Sequence, residues 1–257
     1  MIILKTRSEI EKIRQANIII AELLDEILPK HINEGISTLE LDTIAEEYIR
    51  SKNAKPGFKG YKIANHIPAF PGTLCISVNE EVVHGIPKRS KILKKGDIVS
   101  IDVGTIFEGY YGDAARTYGV GEIAEIDKKL IDVTKKSLYI GIEQAKVGNR
   151  ITDISHAIQV YSEENGFSLV RDYCGHGVGK YLHEDPQIPN FGPPNRGVKI
   201  EDGMVIAIEP MLNIGTYKVK TLSDHWTVVT LDGKNSAHWE HSIAIIDGKA
   251  EILSKLK

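Results

Sequence analysis

Gly35 and Gly148 stand 113 positions apart, and each separates a long run of helical periodicity from a shorter one. Before Gly35, apolar residues Ile10, Ile13, Ala16, Ile20, Leu23, Leu24 and Ile27 recur at helical steps. They predict a helix from about Glu9 to Leu28, opened by the capping-box form Ser8-Glu9-Ile10-Glu11 and stopped by Pro29. After Gly35, Leu41, Ile44, Ala45, Tyr48 and Ile49 predict a second helix that begins at Thr38 and fades near Asn53. The plan repeats with Asp127 to Ala145 and then Ile154, Ala157, Ile158 and Tyr161. A shift of 113 superposes Leu41 on Ile154, Ile44 on Ala157 and Tyr48 on Tyr161, which predicts an internal duplication within one domain, with halves near 1–120 and 121–257.

Strand-like runs fill the space between and after the helices: Cys75–Val78, Ile98–Ile106, Tyr110–Val120, Met204–Ile208, Thr216–Lys220, Trp226–Leu231 and Ser242–Ile246. Runs of helices and runs of strands without strict alternation predict an α+β fold, helices packed on a mostly antiparallel sheet. Apolar residues at 42% and charged residues at 26% exclude a disordered chain, and a net charge of −3 gives no general reason to bind nucleic acid or an anionic membrane. The two cysteines, Cys75 and Cys174, read as free thiols in a reducing compartment, so the expected location is cytoplasmic. The charged start after Ile2-Ile3-Leu4 does not resemble an export signal.

Within the apolar run Ile98-Val99-Ser100-Ile101-Asp102-Val103, Asp102 needs a partner, because an unpaired buried carboxylate costs several kcal/mol or takes up a proton. Asp113 follows on the next strand, and the odd spacing 113 − 102 = 11 puts both acids on one face if the hairpin loop near Thr105–Gly109 is even. Two carboxylates about 4 Å apart repel by roughly 4 kcal/mol at an effective dielectric near 20, so a proton or a cation must sit between them. Arg116, three positions on, is the alternative partner for either one.

Glu209 at the end of Met204–Ile208 and Glu240 just before Ser242–Ile246 repeat the anomaly. His176 lies in Cys174-Gly175-His176-Gly177, where flanking glycines let backbone come close and leave the ring accessible. Four carboxylates and one imidazole suit two divalent ions such as Mn, Co, Fe or Zn better than a thiolate-rich structural zinc site.

Taken in order, Val83-His84-Gly85-Ile86-Pro87, Ile101-Asp102-Val103-Gly104, Tyr111-Gly112-Asp113, Gly175-His176-Gly177-Val178-Gly179, His183-Glu184-Asp185-Pro186, Ile208-Glu209-Pro210 and Trp239-Glu240-His241-Ser242 resemble the motif set of type I methionine aminopeptidases. The resemblance spans nearly the whole chain. It implies the pita-bread fold, two pseudo-symmetric α+β halves around a cleft, and an enzyme that removes the initiator methionine when the next residue is small. By the same likeness Asp102, Asp113, His176, Glu209 and Glu240 hold two metal ions, whose shared water attacks the scissile carbonyl. Glu209 resembles the general base, and His84 and His183 the two imidazoles that contact substrate. Cys75, Phe70 and Trp226 resemble the pocket for the methionine side chain, a soft apolar setting that suits a thioether.

The implied partner is a nascent polypeptide or peptide beginning with Met, a ribosome contact is left open, and the family-like state is a monomer. Leu182 stands where the family often has an aromatic residue, and the stretch from Phe58 to Phe70 is longer than the usual loop. Prolidases and proline-specific aminopeptidases share the fold and the five ligands and stay as one rival reading; a non-catalytic scaffold of the same fold is the other, and the intact Asp102, Asp113, His176, Glu209 and Glu240 argue against it.

Overall fold

A computed structural model describes residues 2–256. Met1, where the segment read for an export signal begins, and Lys257, where the expected domain ends, lie outside the described residues. In the first half, helices α1 (Arg7–Glu22) and α2 (Thr38–Ser51) precede β1 (Lys55–Pro56), β2 (Leu74–Val78), β3 (Glu81–Val83), β4 (Ile98–Phe107) and β5 (Tyr110–Gly119). Helices α3 (Glu125–Gln144) and α4 (Ile151–Glu164) open the second half. They are followed by β6 (Ser168–Leu169), β7 (Cys174–Gly177), β8 (Glu184–Pro189), β9 (Val205–Ile208), β10 (Met211–Asn213), β11 (Val219–Thr221), β12 (Val228–Thr230), β13 (Ser236–His238), β14 (His241–Ile246) and β15 (Lys249–Ile252).

The N-cap of the first helix falls two residues earlier than expected. Thr6, not Ser8, adopts the extended N-cap conformation, and its side chain and that of Glu9 satisfy each other's backbone N–H groups. Both Thr6-x-x-Glu9 and Ser8-x-x-Glu11 fit the capping pattern. The choice is made by Lys5, whose backbone N–H is held by Gly203 O at 2.7 Å in the distant second half. Beyond Glu22 the helix continues as a π-helical turn, Leu23–Ile27, and a 3₁₀ turn, Leu28–Lys30, before the chain turns away.

Helices α2 and α4 begin and end at positions that differ by 113; α2 opens with a capping box, Ser37 with Glu40, whereas at α4 only one half of that exchange is made, the Arg150 backbone N–H donating to the Asp153 carboxylate at 2.7 Å. Gly35 and Gly148, with φ of 93° and 102°, turn the chain into these helices through the left-handed region that glycine enters without strain. Each half has its own core. Ile20, Leu24, Leu41 and Ile49 pack on Ile76, Ile101 and Val103, whereas Leu130, Leu138, Ile154 and Ile158 pack on Ile206, Ile208 and Ile243.

Strand β4 pairs antiparallel with β5 along one edge and with β2 and β1 along the other. The second main sheet runs β15-β14-β9-β7-β8. Alternation sends Val99, Ile101 and Val103 toward the helices, and so turns Asp102 to the opposite face. The sheets meet where Glu240 N–H donates to Ala115 O at 3.0 Å and Ser242 Oγ–H donates to Asp113 O at 2.7 Å. The observed strands β11 and β12 are shorter than the runs read at Thr216–Lys220 and Trp226–Leu231. Strand β7 was not foreseen, since two of its four residues are glycines, which strands disfavour.

Candidate metal centre and substrate cleft

The β4–β5 hairpin closes on a two-residue loop, Glu108-Gly109, with both residues at positive φ. Its register opposes Asp102 to Ala115 and Gly104 to Asp113, so the two acids are diagonal neighbours on one face. Their carboxyl groups lie near enough that, on top of burial and Glu240, the charge of Asp102 raises the pKa of Asp113. Arg116 projects away from them: its guanidinium donates to Ala115 O, Glu240 O and Ser254 O at 3.0, 2.7 and 3.0 Å and lies 3.3 Å from Asp25. It is therefore not the partner of Asp102 or Asp113.

His176 arrives from β7, and its ring is buried rather than accessible. The adjacent glycines serve backbone approach: a Cβ on Gly175 would lie 2.3 Å from Ala207 O, and one on Gly177 2.2 Å from Asp185 O. They let the backbones of β9 and β8 come close to β7 on either side of His176 in the chain. Nδ1 of His176 is 2.9 Å from Gly177 O, and since a carbonyl only accepts, Nδ1 carries the proton and Nε2 presents a lone pair. That Nε2 lies 3.7 Å from Asp113 Oδ2 and 3.6 Å from Glu209 Oε1. One ligand atom each from Asp113, His176 and Glu240 fall within 4.8 Å of one another.

Asp102 Oδ1, Asp113 Oδ1 and Glu240 Oε1 are buried with no hydrogen-bond partner. Orphaned carboxylate oxygens converging on one point are what a divalent cation satisfies, and the donor set of oxygens with one imidazole nitrogen fits such an ion. Without it, burial raises the carboxyl pKa of Asp102 to about 7. Burial and the neighbouring acids push Asp113, Glu209 and Glu240 well up. Burial holds the His176 imidazole neutral, with its pKa lowered to about 3.

Beside the acids lies a cavity of about 580 Å³. Phe70, Cys75 and Trp226 meet at its apolar end with Phe58 and Leu182 in one cluster. Phe70 and Trp226 pack edge to face at 5.2 Å. The residue that departs from the family pattern, Leu182, is thus part of the pocket wall. His84 takes a strained positive φ of 59°, and the next residue, Gly85, fits against Ile76 O where a Cβ would come within 2.1 Å. This bend sets the His84 ring edge-on to Tyr173 and Trp226 at 5.5 and 6.2 Å, and burial lowers its pKa to about 4. His183 packs on His176 at 4.4 Å between ring centroids, and its Nδ1 is 2.6 Å from Tyr61 Oη.

His238 beside the acids and Tyr61 in the cleft are not singled out by the sequence. His238, 1% exposed, places an unpartnered Nε2 3.7 Å from Glu209 Oε2. Its spacing of two from Glu240 on an extended segment was the available signal. Tyr61 sits in a loop, where no periodicity marks it.

Metallopeptidase family M24 matches residues 11–247, and the chain belongs to that family. Within it the chain falls among the methionine aminopeptidases: it is 56% identical to methionine aminopeptidase 1 of Bacillus subtilis over the full length of both chains. Methionine aminopeptidase from Thermotoga maritima superposes with a TM-score of 0.95 at 48% identity, covering 100% of each chain. Prolidase from Pyrococcus furiosus shares the fold alone, at TM-score 0.78 and 24% identity over 99% of this chain and 66% of its own. The architecture is accordingly the pita-bread fold, and the metallopeptidase family together with the acid and imidazole cluster fits the binding of divalent metal. No helix among the described residues is long and apolar enough to cross a membrane.

Proposed function

We propose that this chain is a metal-dependent aminopeptidase that removes the N-terminal methionine from peptides and newly made proteins when the following residue is small. One observation carries the reading: three partnerless buried carboxylate oxygens border an apolar pocket built from Cys75 and aromatic rings. Asp102, Asp113, His176, Glu209 and Glu240 would hold two divalent ions, drawn from Mn, Co, Fe or Zn. Such ions supply Lewis acidity at the scissile carbonyl and lower the pKa of a water in the cleft.

The chain's own groups do the rest. Glu209, ionised beside the cations it would help to hold, takes the proton of the attacking water, a transfer that its burial favours by making the carboxylate more basic, and passes it toward the departing amine. His84 and His183, both with lowered pKa, act as neutral hydrogen-bonding imidazoles on the substrate amide. Tyr61 Oη, 2.6 Å from Nδ1 of His183, holds that ring in place and leaves Nε2 as the ring nitrogen available to the substrate. Cys75 remains a thiol, since burial and Asp102 raise its pKa, and it packs against the thioether without charge. We read residues 1–257 as one catalytic domain of two related halves, monomeric and acting in the cytoplasm on chains as they are made.

The test compares Met-Ala-Ser, Met-Lys-Ser and Ala-Pro-Ser as substrates of the metal-loaded protein. Rapid cleavage of Met-Ala-Ser alone is the expected result. Preference for Ala-Pro-Ser would replace it with a proline-specific activity, and no cleavage at all with a binding scaffold.

A further inference from the structure

We propose that the loop 62–69 is an apolar lip that contacts the third and fourth residues of the substrate and favours apolar side chains there. The inference rests on the methionine-release reading and extends it along the peptide. The loop is closed at its base, where Gly60 N–H donates to Phe70 O at 2.8 Å and Phe70 N–H to Tyr61 O at 2.9 Å. Its far side is tied to the pocket, because Trp226 Nε1–H donates to Pro68 O at 2.9 Å. The lip is therefore held in place by the ring that also walls the methionine pocket.

Ile67 packs against the pocket cluster, while Ile63 stays 55% exposed, and both line the same cavity as the acids. Across the mouth stand Thr221, Leu222 and His225, with Leu222 38% exposed. Two exposed aliphatic side chains facing one cavity form apolar surface that the fold itself leaves uncovered. The occupant follows from the path of the substrate. Its first side chain fills the closed apolar end, its reacting carbonyl lies at the acids, and everything after the small second residue must leave between these two lips.

The experiment measures kcat/KM of the Mn-loaded wild type on Met-Ala-Leu-Leu and Met-Ala-Ser-Ser. The first should be favoured by about tenfold, carried in KM, the size of effect that one or two apolar contacts produce. Ile63→Ser, a change at an exposed position that leaves the core intact, should bring the ratio to within about twofold, and Ile63→Leu should keep it. Equal kcat/KM values in the wild type, or a ratio that survives Ile63→Ser combined with Leu222→Ser, would overturn the lip. A wild type that cleaves neither peptide would instead remove the aminopeptidase activity, and the lip with it.

Discussion

Cys75 on β2 is the direct cross-strand partner of Asp102 on β4, so a thiol and a carboxylate project side by side from one face of the sheet. The pairing joins pocket to metal site: a methionine side chain resting on Cys75 brings its own carbonyl to the acids. It also keeps the thiol protonated, through burial first and the nearby carboxylates second. Alkylation with iodoacetamide at neutral pH should therefore modify the half-buried Cys174 about tenfold faster than Cys75, as peptide mass mapping over time would show. Faster loss of Cys75 would mean that the pocket opens.

Removing metal should make stability depend on pH in a particular sense. The folded-state pKa of Asp102, about 7, lies above its unfolded value near 4, and Asp113, Glu209 and Glu240 shift the same way. Between those values the folded chain binds more protons than the unfolded one. Stability from this cluster is thus fully present below about pH 4 and lost as pH rises through 7 and beyond. Chelated protein should denature at lower urea at pH 8 than at pH 6, and Mn should remove most of that difference. A metal-free protein with no such slope would contradict the crowding of the acids.

Glu209→Gln should abolish most turnover while leaving the fold intact. His84→Ala should lower kcat by about 10²- to 10⁴-fold, the usual range for a positioned acid or hydrogen-bond donor, with metal affinity by calorimetry nearly unchanged. Equal losses of metal and activity in His84→Ala would make that residue a ligand instead.

Gly175→Ala should displace β7 from β9, since the new Cβ would meet Ala207 O at 2.3 Å. The strand cannot shift without carrying His176 away from Asp113 and Glu209, so metal affinity should fall by about 10-fold or more along with stability. Unchanged metal binding, measured by titration, would show that the imidazole is held by something other than this contact.

Arg116→Ala should destabilise by about 3 kcal/mol in urea unfolding, because it strips donors from three carbonyls and removes the side-chain tie between β5 and the Glu240 carbonyl. Arg116→Lys should recover little of this, as one ammonium cannot span the carbonyls that the planar guanidinium reaches.

Local features of the chain were legible without the structure. The β4–β5 hairpin is short-range, so an odd spacing and an even loop were enough to put Asp102 and Asp113 on one face. The helices that recur 113 positions apart followed from periodicity alone, because amphipathic spacing is a property of neighbours along the chain. Periodicity says which face a residue takes, but not what stands opposite. That β5 meets Glu240 and Ser242, and that Arg116 serves three carbonyls and Asp25 rather than Asp102 or Asp113, depend on the two halves docking in one register. The same holds for His176, whose burial comes from strands that only glycine lets approach. Such contacts join residues far apart along the chain, 124 positions for Arg116 and Glu240 and 29 (238 − 209) for His238 and Glu209, and their geometry is decided by close packing, which no local pattern encodes.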